Sequence, residues 1–285
     1  MNDSVDLHLH STHSDGVLSP AALVELLVAN GVRQFALTDH DTVAGLGEVA
    51  RCAQGAGLHC ITGTELSASW LGRTIHVVGL GFDPDCAPIA TAVDTRLALR
   101  RERARTIAAR LDRAGAPGSA ALERLAGTAV PTRTHFARAL AELGAARDAA
   151  HAFDRWLGHG KPGHVPSEWP ALEETVAAIV AGGGTAVLAH PLRYRLSAGQ
   201  RRTLVRVFAA AGGGALEVVT GGVAPHQIET ALGLALRGGL AGSVGSDCHD
   251  PALPWHRPGR LAKLPAAVVP VWDRWAAAPT RALEA

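Results

Sequence analysis

Residues 5–16 read VDLHLHSTHSDG, an apolar run with imidazoles at His8 and His10 that breaks into small polar residues and the turn pair Asp15-Gly16. Side chains in a strand repeat with period two, so both imidazoles project to one face. Two nitrogens on one face suit a single metal ion, although an isolated pair of this kind is as often two hydrogen-bonded core histidines. Ser19 and Pro20 then supply an N-cap and first-turn signal for a helix over 21–29, which Gly31 ends after Asn30. A second strand over 35–38 completes a βαβ opening.

Outward from this unit the alternation continues, with a helix over 43–54 and strands over 58–62 and 75–80. Arg-rich and Ala-rich helices then run over 94–157, and strands resume at 185–189, 215–219 and 241–245 with helices at 173–181, 199–211 and 225–236. Seven strands mostly linked by helices predict an α/β protein, either a parallel barrel or an open parallel sheet. The expected division is a barrel from 1–93 and 158–285 with a small helical subdomain, 94–157, inserted in it.

A chain of 285 residues holds one large domain, or one with an insertion, at about 150 residues per domain. Its 47% hydrophobic and 19% charged residues, with 32 Gly and 16 Pro, exclude disorder and collagen-like repeats. A net charge of +1 provides no global field for long duplex nucleic acid. Cys52, Cys60, Cys86 and Cys248 form no CxxC pair and the N-terminus has no signal-peptide pattern, so the reducing cytoplasm is the expected location. The nearly apolar stretch 175–189 is too short to span a bilayer and reads as a helix end, a turn and a buried strand.

The chain holds 14 histidines against one tyrosine and one methionine. Functional groups of parallel α/β folds gather at the C-terminal ends of strands, and there this sequence places His8 and His10, His40, Glu65, His76, His190, and the pair Asp247 and His249. Asp15 is within reach of the same mouth, although Asp-Gly is an ordinary turn pair. Asp39 and Asp41 flank His40 and either orient it or, for Asp41, cap the following helix. Glu65 has two oxygens with which to bridge two cations, and Glu217 in ALEVV is a candidate buried partner.

Taken together, VDLHLHSTHSDG, LTDHDT, TGTE, HVVGLGF, LAHPLRY and GSDCH resemble the polymerase-and-histidinol-phosphatase (PHP) family of metal phosphoesterases, over roughly 3–82 and 161–257. The likeness is to stand-alone members acting on nucleoside 3′,5′-bisphosphates and short RNA 5′ ends. It implies a distorted seven-stranded (β/α)7 barrel with two or three divalent metal ions at its mouth. His8, His10, Glu65 and Asp247 would hold one, Glu65 would bridge to a second held by His76 and His190, and Asp15, His40 and His249 would hold the third. Three such cations against three carboxylates leave a positive pocket suited to phosphate. Mixed imidazole and carboxylate ligands fit manganese first, with iron or zinc also compatible.

In that reading a metal-activated hydroxide attacks the phosphate, with Asp15 and His40 in the catalytic set and His135 as proton donor to the leaving oxygen. There is no GxSxG elbow or P-loop, and Cys248 reads as packing. Arg101, Arg133, Thr134, His135, Lys161 and Arg193 are the candidate substrate residues for a small phosphorylated ligand, since Arg binds phosphate bidentately and Lys as a point charge. For most arginines of 96–113 a solvated helix face is the better reading. His13, His59, His151, His159, His164, His226 and His256 are expected in loops or on the surface. Histidinol-phosphate phosphatase and a non-catalytic, metal-stapled module are the rival assignments.

Overall fold

In the computed structural model residues 4–276 are described, apart from 129, 167 and 256; His256 therefore lies outside the described residues. The opening unit forms as its signals dictate. Strand β1 (Ser4–Asp6) leads through the imidazole-rich loop to helix α1 (Pro20–Ala29), where the Ser19 side chain accepts the Ala22 N–H, and Gly31 leaves the helix at φ +74°. Strand β2 (Val32–Ala36), helix α2 (Leu46–Ala56) and strand β3 (His59–Ile61) follow, and β1, β2 and β3 pair in parallel in that order.

The next element was not legible as a strand. β4 (Gly63–Trp70) turns through Leu71 and Gly72, at φ +48° and +67°, into β5 (Arg73–Leu80), with Trp70 paired to Arg73. Positive φ at both central residues is the two-residue hairpin geometry that follows the natural strand twist. β6 (Thr185–Leu188), β7 (Ala215–Thr220) and β8 (Ala241–Gly245) complete a five-stranded sheet in the order β4-β5-β6-β7-β8. β5 runs antiparallel to both neighbours, while β6, β7 and β8 are parallel.

The fold is mixed α/β, and it differs from the expected distorted seven-stranded barrel on two points. The described residues form eight strands, and these belong to a three-stranded and a five-stranded sheet rather than one closed ring. The sheets approach each other through isolated bridges, Leu9 with Cys248 and His40 with Glu65, and through the Asp247 N–H, which donates to the His8 carbonyl at 2.8 Å. Each bridge joins residues at or beside the imidazole cluster, so the seam between the sheets is where the site forms.

The long helix α3 (Ala87–Arg113) begins earlier than the expected insertion and serves two cores. Ile89, Ala92 and Val93 bury against the sheets, while Ala104, Ile107, Ala108 and Leu111 pack with α4 (Gly118–Arg124), α5 (Arg133–Glu142), α6 (Ala149–Ala152) and the π-helical turn Phe153–Leu157. Helices α7 (Leu172–Ala181), α8 (Ala198–Ala210) and α9 (Pro225–Gly238) cover the five-stranded sheet, and α10 (Asp273–Ala276) follows. Among the described residues no helix is long and apolar enough to cross a membrane. Cys248 is buried in the apolar core, where burial pushes its thiol up to about 12.

Candidate metal centre and its cavity

Glu65 is the centre of the site. It is fully buried on β4, and five imidazoles converge on its two oxygens. Oε1 lies 3.3 Å from His8 Nε2, 3.1 Å from His76 Nδ1 and 3.0 Å from His190 Nε2. Oε2 lies 3.4 Å from His10 Nε2 and 2.8 Å from His40 Nδ1. Asp247 Oδ1 is 3.4 Å and 3.2 Å from the Nε2 atoms of His8 and His10, and Asp15 Oδ1 is 3.3 Å from His249 Nε2.

His190 Nε2 and Glu65 Oε1 share a hydrogen bond, but most of the other close approaches are not hydrogen bonds. His8 Nε2, His10 Nε2, Asp15 Oδ1, His40 Nδ1, Glu65 Oε2 and His76 Nδ1 are all buried without a hydrogen-bond partner. Buried polar atoms left unpaired cost free energy, and six aimed at one another fit cations placed between them. Three sets bring their ligand atoms within 4.8 Å: His8, His10, Glu65 and Asp247; His40, Glu65 and His76; and His10, Asp15, His40 and His249. The structure thus brings together all nine residues singled out in the sequence, with His190 joined through Glu65. His10 and His40 each belong to two sets, a sharing that the three-way division above lacks.

Charge couples the carboxylates and imidazoles of the cluster. Burial alone would raise the carboxylates, yet the surrounding imidazoles hold Glu65 and Asp247 well below the usual carboxylate range, with His8 the largest attractive partner of each. His249 is pushed up to about 9 because Asp15 and Asp247 outweigh its burial. His10 is pushed down to about 3 by burial and by His249 and His40, which keeps its lone pair available. A protonated His249 thus offsets the neighbouring carboxylates, while His10 stays neutral.

The backbone is bent to build this arrangement. Asp41, His190 and Asp247 have φ of +51°, +29° and +54°, conformations costly for residues other than glycine. His190 and Asp247, two residues past β6 and β8, line the mouth, while Asp41 turns its carboxylate to Ser67 and Arg100 beside it. Supporting contacts hold the ligands in place. Glu217 accepts from His8 Nδ1 at 2.7 Å and from the His190 backbone N–H at 2.6 Å, so the partner suspected in ALEVV fixes two ligands at once.

The two aspartates flanking His40 do not orient it, a correction to the expectation above. Asp39 accepts from Ser11 and Ser14 and so pins the loop that carries Asp15. Asp41 accepts from the Ser67 N–H at 2.6 Å and Arg100 Nε at 2.7 Å, with Arg96 Nε 3.5 Å away. Arg96, nearly inaccessible, also donates to the Ser67 carbonyl and Thr175 Oγ1. A buried ion-pair network therefore ties α3 to the strand end beside His40.

The cluster floors a cavity of about 300 Å³ whose other walls include Arg100, Arg103, Arg133 and Arg193, with Thr132, Thr134, Phe153 and Trp169. Arg133, Thr134 and Arg193 thus sit where the sequence reading expects substrate, and Arg193 also donates to Asp247 and to the Gly221 carbonyl. Arg101 and Lys161 are exposed and off the cavity wall. His135 is off the wall too, because its Nδ1 accepts the Thr132 N–H in a capping box at the start of α5. Burial lowers its pKa, which favours the neutral imidazole.

Sequence reading missed Arg100, Arg103 and Trp169. The signal was present as the spacing of Arg96, Arg100 and Arg103, one stripe of a helix, but nothing in the sequence says which stripe faces the mouth. Arg100 stacks 5.2 Å above Trp169, and Arg133 lies 5.9 Å from the Phe153 ring.

Comparison with known proteins places this geometry among its kin. The PHP domain matches residues 6–124. A 5′-3′ exoribonuclease of Haemophilus influenzae is 40% identical over 96% of this chain and 100% of its own length. A 3′,5′-nucleoside bisphosphate phosphatase of Chromobacterium violaceum is 39% identical over 94% of this chain and 95% of its own. An amidohydrolase from Chromobacterium violaceum, solved with bound sulfate and no metal, superposes with a TM-score of 0.89 at 38% identity, covering 96% of each chain.

Proposed function

The chain belongs to the PHP-domain family of metal-dependent phosphoesterases, and from that premise we propose that it removes the 3′-phosphate of nucleoside 3′,5′-bisphosphates. The products are a nucleoside 5′-monophosphate and inorganic phosphate. One observation carries the reading: a single cavity joins the imidazole and carboxylate cluster to Arg100, Arg103 and Arg133. Such a cavity has two places for anionic groups, and a bisphosphate has two to offer.

His8, His10, Glu65 and Asp247 would hold one divalent ion, Glu65 with His40, His76 and His190 a second, and Asp15, His40 and His249 a third. The nitrogen and oxygen donor set, without thiolate, suits manganese first and also iron or zinc. Bound there, such ions supply Lewis acidity towards the phosphoryl oxygens and an activated water. The arginines receive the other phosphate. Among the described residues Arg103 and Arg133 make no salt bridge to a carboxylate, so their charge is free for a ligand. Burial, with Arg133 and Arg100 nearby, pushes Arg103 down to about 9, still protonated at neutral pH.

The same charges speak against histidinol phosphate, whose ammonium group would face three guanidiniums. An open cavity speaks against a merely stapling role for the metals. A short RNA 5′ end, with a phosphate and a neighbouring phosphodiester, offers a similar pair of anions, and the substrate class points to the cytoplasm. The test is phosphate release by the manganese-loaded protein from adenosine 3′,5′-bisphosphate and histidinol phosphate in parallel. The expected result is at least a tenfold higher kcat/KM for the bisphosphate, with loss of the 3′-phosphate seen by phosphorus NMR; preference for histidinol phosphate would overturn it.

A further inference from the structure

Strands β5 and β6 are antiparallel, and their paired residues nearest the mouth are Val77 and Leu188. Hydrogen-bonded and non-hydrogen-bonded pairs alternate in such a ladder, and a hydrogen-bonded pair exchanges two bonds from N–H to carbonyl. One step nearer the mouth His76 comes opposite Ala189, and half of that exchange is direct: the Ala189 N–H donates to the His76 carbonyl at 3.2 Å. The other half runs through the hydroxyl of Tyr194, the one tyrosine of the chain. It accepts the His76 N–H at 2.9 Å and donates to the Ala189 carbonyl at 3.1 Å. A direct bond would draw that nitrogen and oxygen to about 2.9 Å. The inserted hydroxyl, placed as a bridging water would be, keeps them apart.

The strands are parted where two imidazoles leave them. His76 Nδ1 and His190 Nε2 meet Glu65 Oε1 at 3.1 Å and 3.0 Å, with their ring centroids 5.4 Å apart. Tyr194 touches both residues: its ring stands edge-on to the His190 ring, centroids 5.4 Å apart, while its hydroxyl holds the His76 backbone. A turn in which the Arg193 N–H donates to the His190 carbonyl at 3.0 Å brings the chain back to place it there. With its proton given to one backbone group and a lone pair to another, the hydroxyl serves as a spacer rather than a ligand. The set of His8, His10, Glu65 and Asp247 contains neither imidazole.

We propose that Tyr194 is a positioning residue whose hydroxyl sets the separation of His76 and His190, and thereby the affinity of the second metal position, which they form with Glu65 and His40, independently of the first. The inference rests on the metal-dependent phosphoesterase reading above and adds a residue that acts on one cation of the centre. Without the hydroxyl, the His76 N–H and the Ala189 carbonyl either meet directly, closing the strands, or stay unpaired. In both cases the two imidazoles lose the spacing that brings them to one oxygen.

The experiment compares the full-length wild type with Tyr194→Phe, which keeps the ring and removes only the hydroxyl. Manganese per chain is counted after loading and dialysis, stepwise Kd values are measured by competition with a chelator, and electron paramagnetic resonance reads the exchange coupling of neighbouring manganese ions. The wild type is expected to show more than one class of site and a coupled signal. In the variant one class should keep its Kd within about threefold while another weakens about 10- to 100-fold, the range for lost support of a ligand, and the coupled signal should fall with it. Unchanged Kd values with the coupled signal intact would overturn the proposal, and so would an equal weakening of every class, which is what a merely structural role predicts. Should Tyr194→Phe not fold, 3-fluorotyrosine labels this position alone and puts the same question to the unsubstituted chain. Its fluorine resonance should move with one equivalent of zinc and stay still with the others; a resonance indifferent to zinc, or following every equivalent alike, would overturn the proposal. A wild type that binds no metal in any class would instead overturn the metal centre itself, so the two failures are separable.

Discussion

Asp41→Asn isolates the charge that docks the long helix beside the metal ligands. The carboxylate is buried, 2.7 Å from Arg100 Nε and 3.5 Å from Arg96 Nε, and accepts the Ser67 N–H at 2.6 Å. Asn keeps the shape and tolerates the φ of +51°, so the loss is mainly electrostatic. Removing one partner of a buried ion pair costs about 3–5 kcal/mol, since the other charge is left uncompensated. A chain of this size has an unfolding entropy of about 0.6 kcal/mol per kelvin, so Tm should fall by about 5–8 °C. Arg100 is on the cavity wall, so KM for a bisphosphate should rise as well.

The pH dependence of that effect has a definite sign. Burial would raise the Asp41 pKa, but Arg100 and Arg96 lower it below the ordinary 3.8. Its stabilisation is therefore complete above 3.8 and is lost as pH falls through the lower folded value. Thermal melts of both proteins at pH 7 and below pH 4 check this: the difference in Tm should be full at neutral pH and shrink in acid. A shift under about 1 °C at pH 7 would show that the network contributes little and refute the reasoning.

Three further outcomes follow from the site. Glu217→Gln weakens the support of His8 and His190, and metal affinity measured by competition with a chelator should fall about 10- to 100-fold. Metal loading should release protons at pH 7, because His249, held at about 9, is protonated in the apoprotein and must be neutral to ligate; calorimetry in buffers of different ionisation enthalpy would show this, and no proton release would contradict it. Gly245→Ala drives a new Cβ into His8 Cβ and to 2.8 Å from Glu217 Oε1, so manganese content after dialysis should drop with the fold retained by circular dichroism.

The ligands were legible because period-two spacing and strand ends are local features: His8 and His10, or Asp247 and His249, announce their common face within three residues. β4 escaped because its buried residues Thr64, Glu65 and Ser67 are polar, which conceals a buried strand from a search for apolar alternation. With β4 missed, the antiparallel hairpin was missed, and so was the break into two sheets. Arg100 and Arg101 differ only in helix phase, and which of them meets the cavity depends on where α3 lies against Asp41. Glu217 could be suspected from a charge within an apolar strand, but its two partners, His8 and the His190 backbone, lie far away in sequence.

The most direct test of the metal centre is anomalous diffraction at the manganese edge from crystals of the manganese-loaded protein. The account requires two or three peaks inside the cluster, each within coordination distance of Glu65, of Asp15 or of Asp247. No peak there, or peaks only elsewhere on the surface, would contradict it.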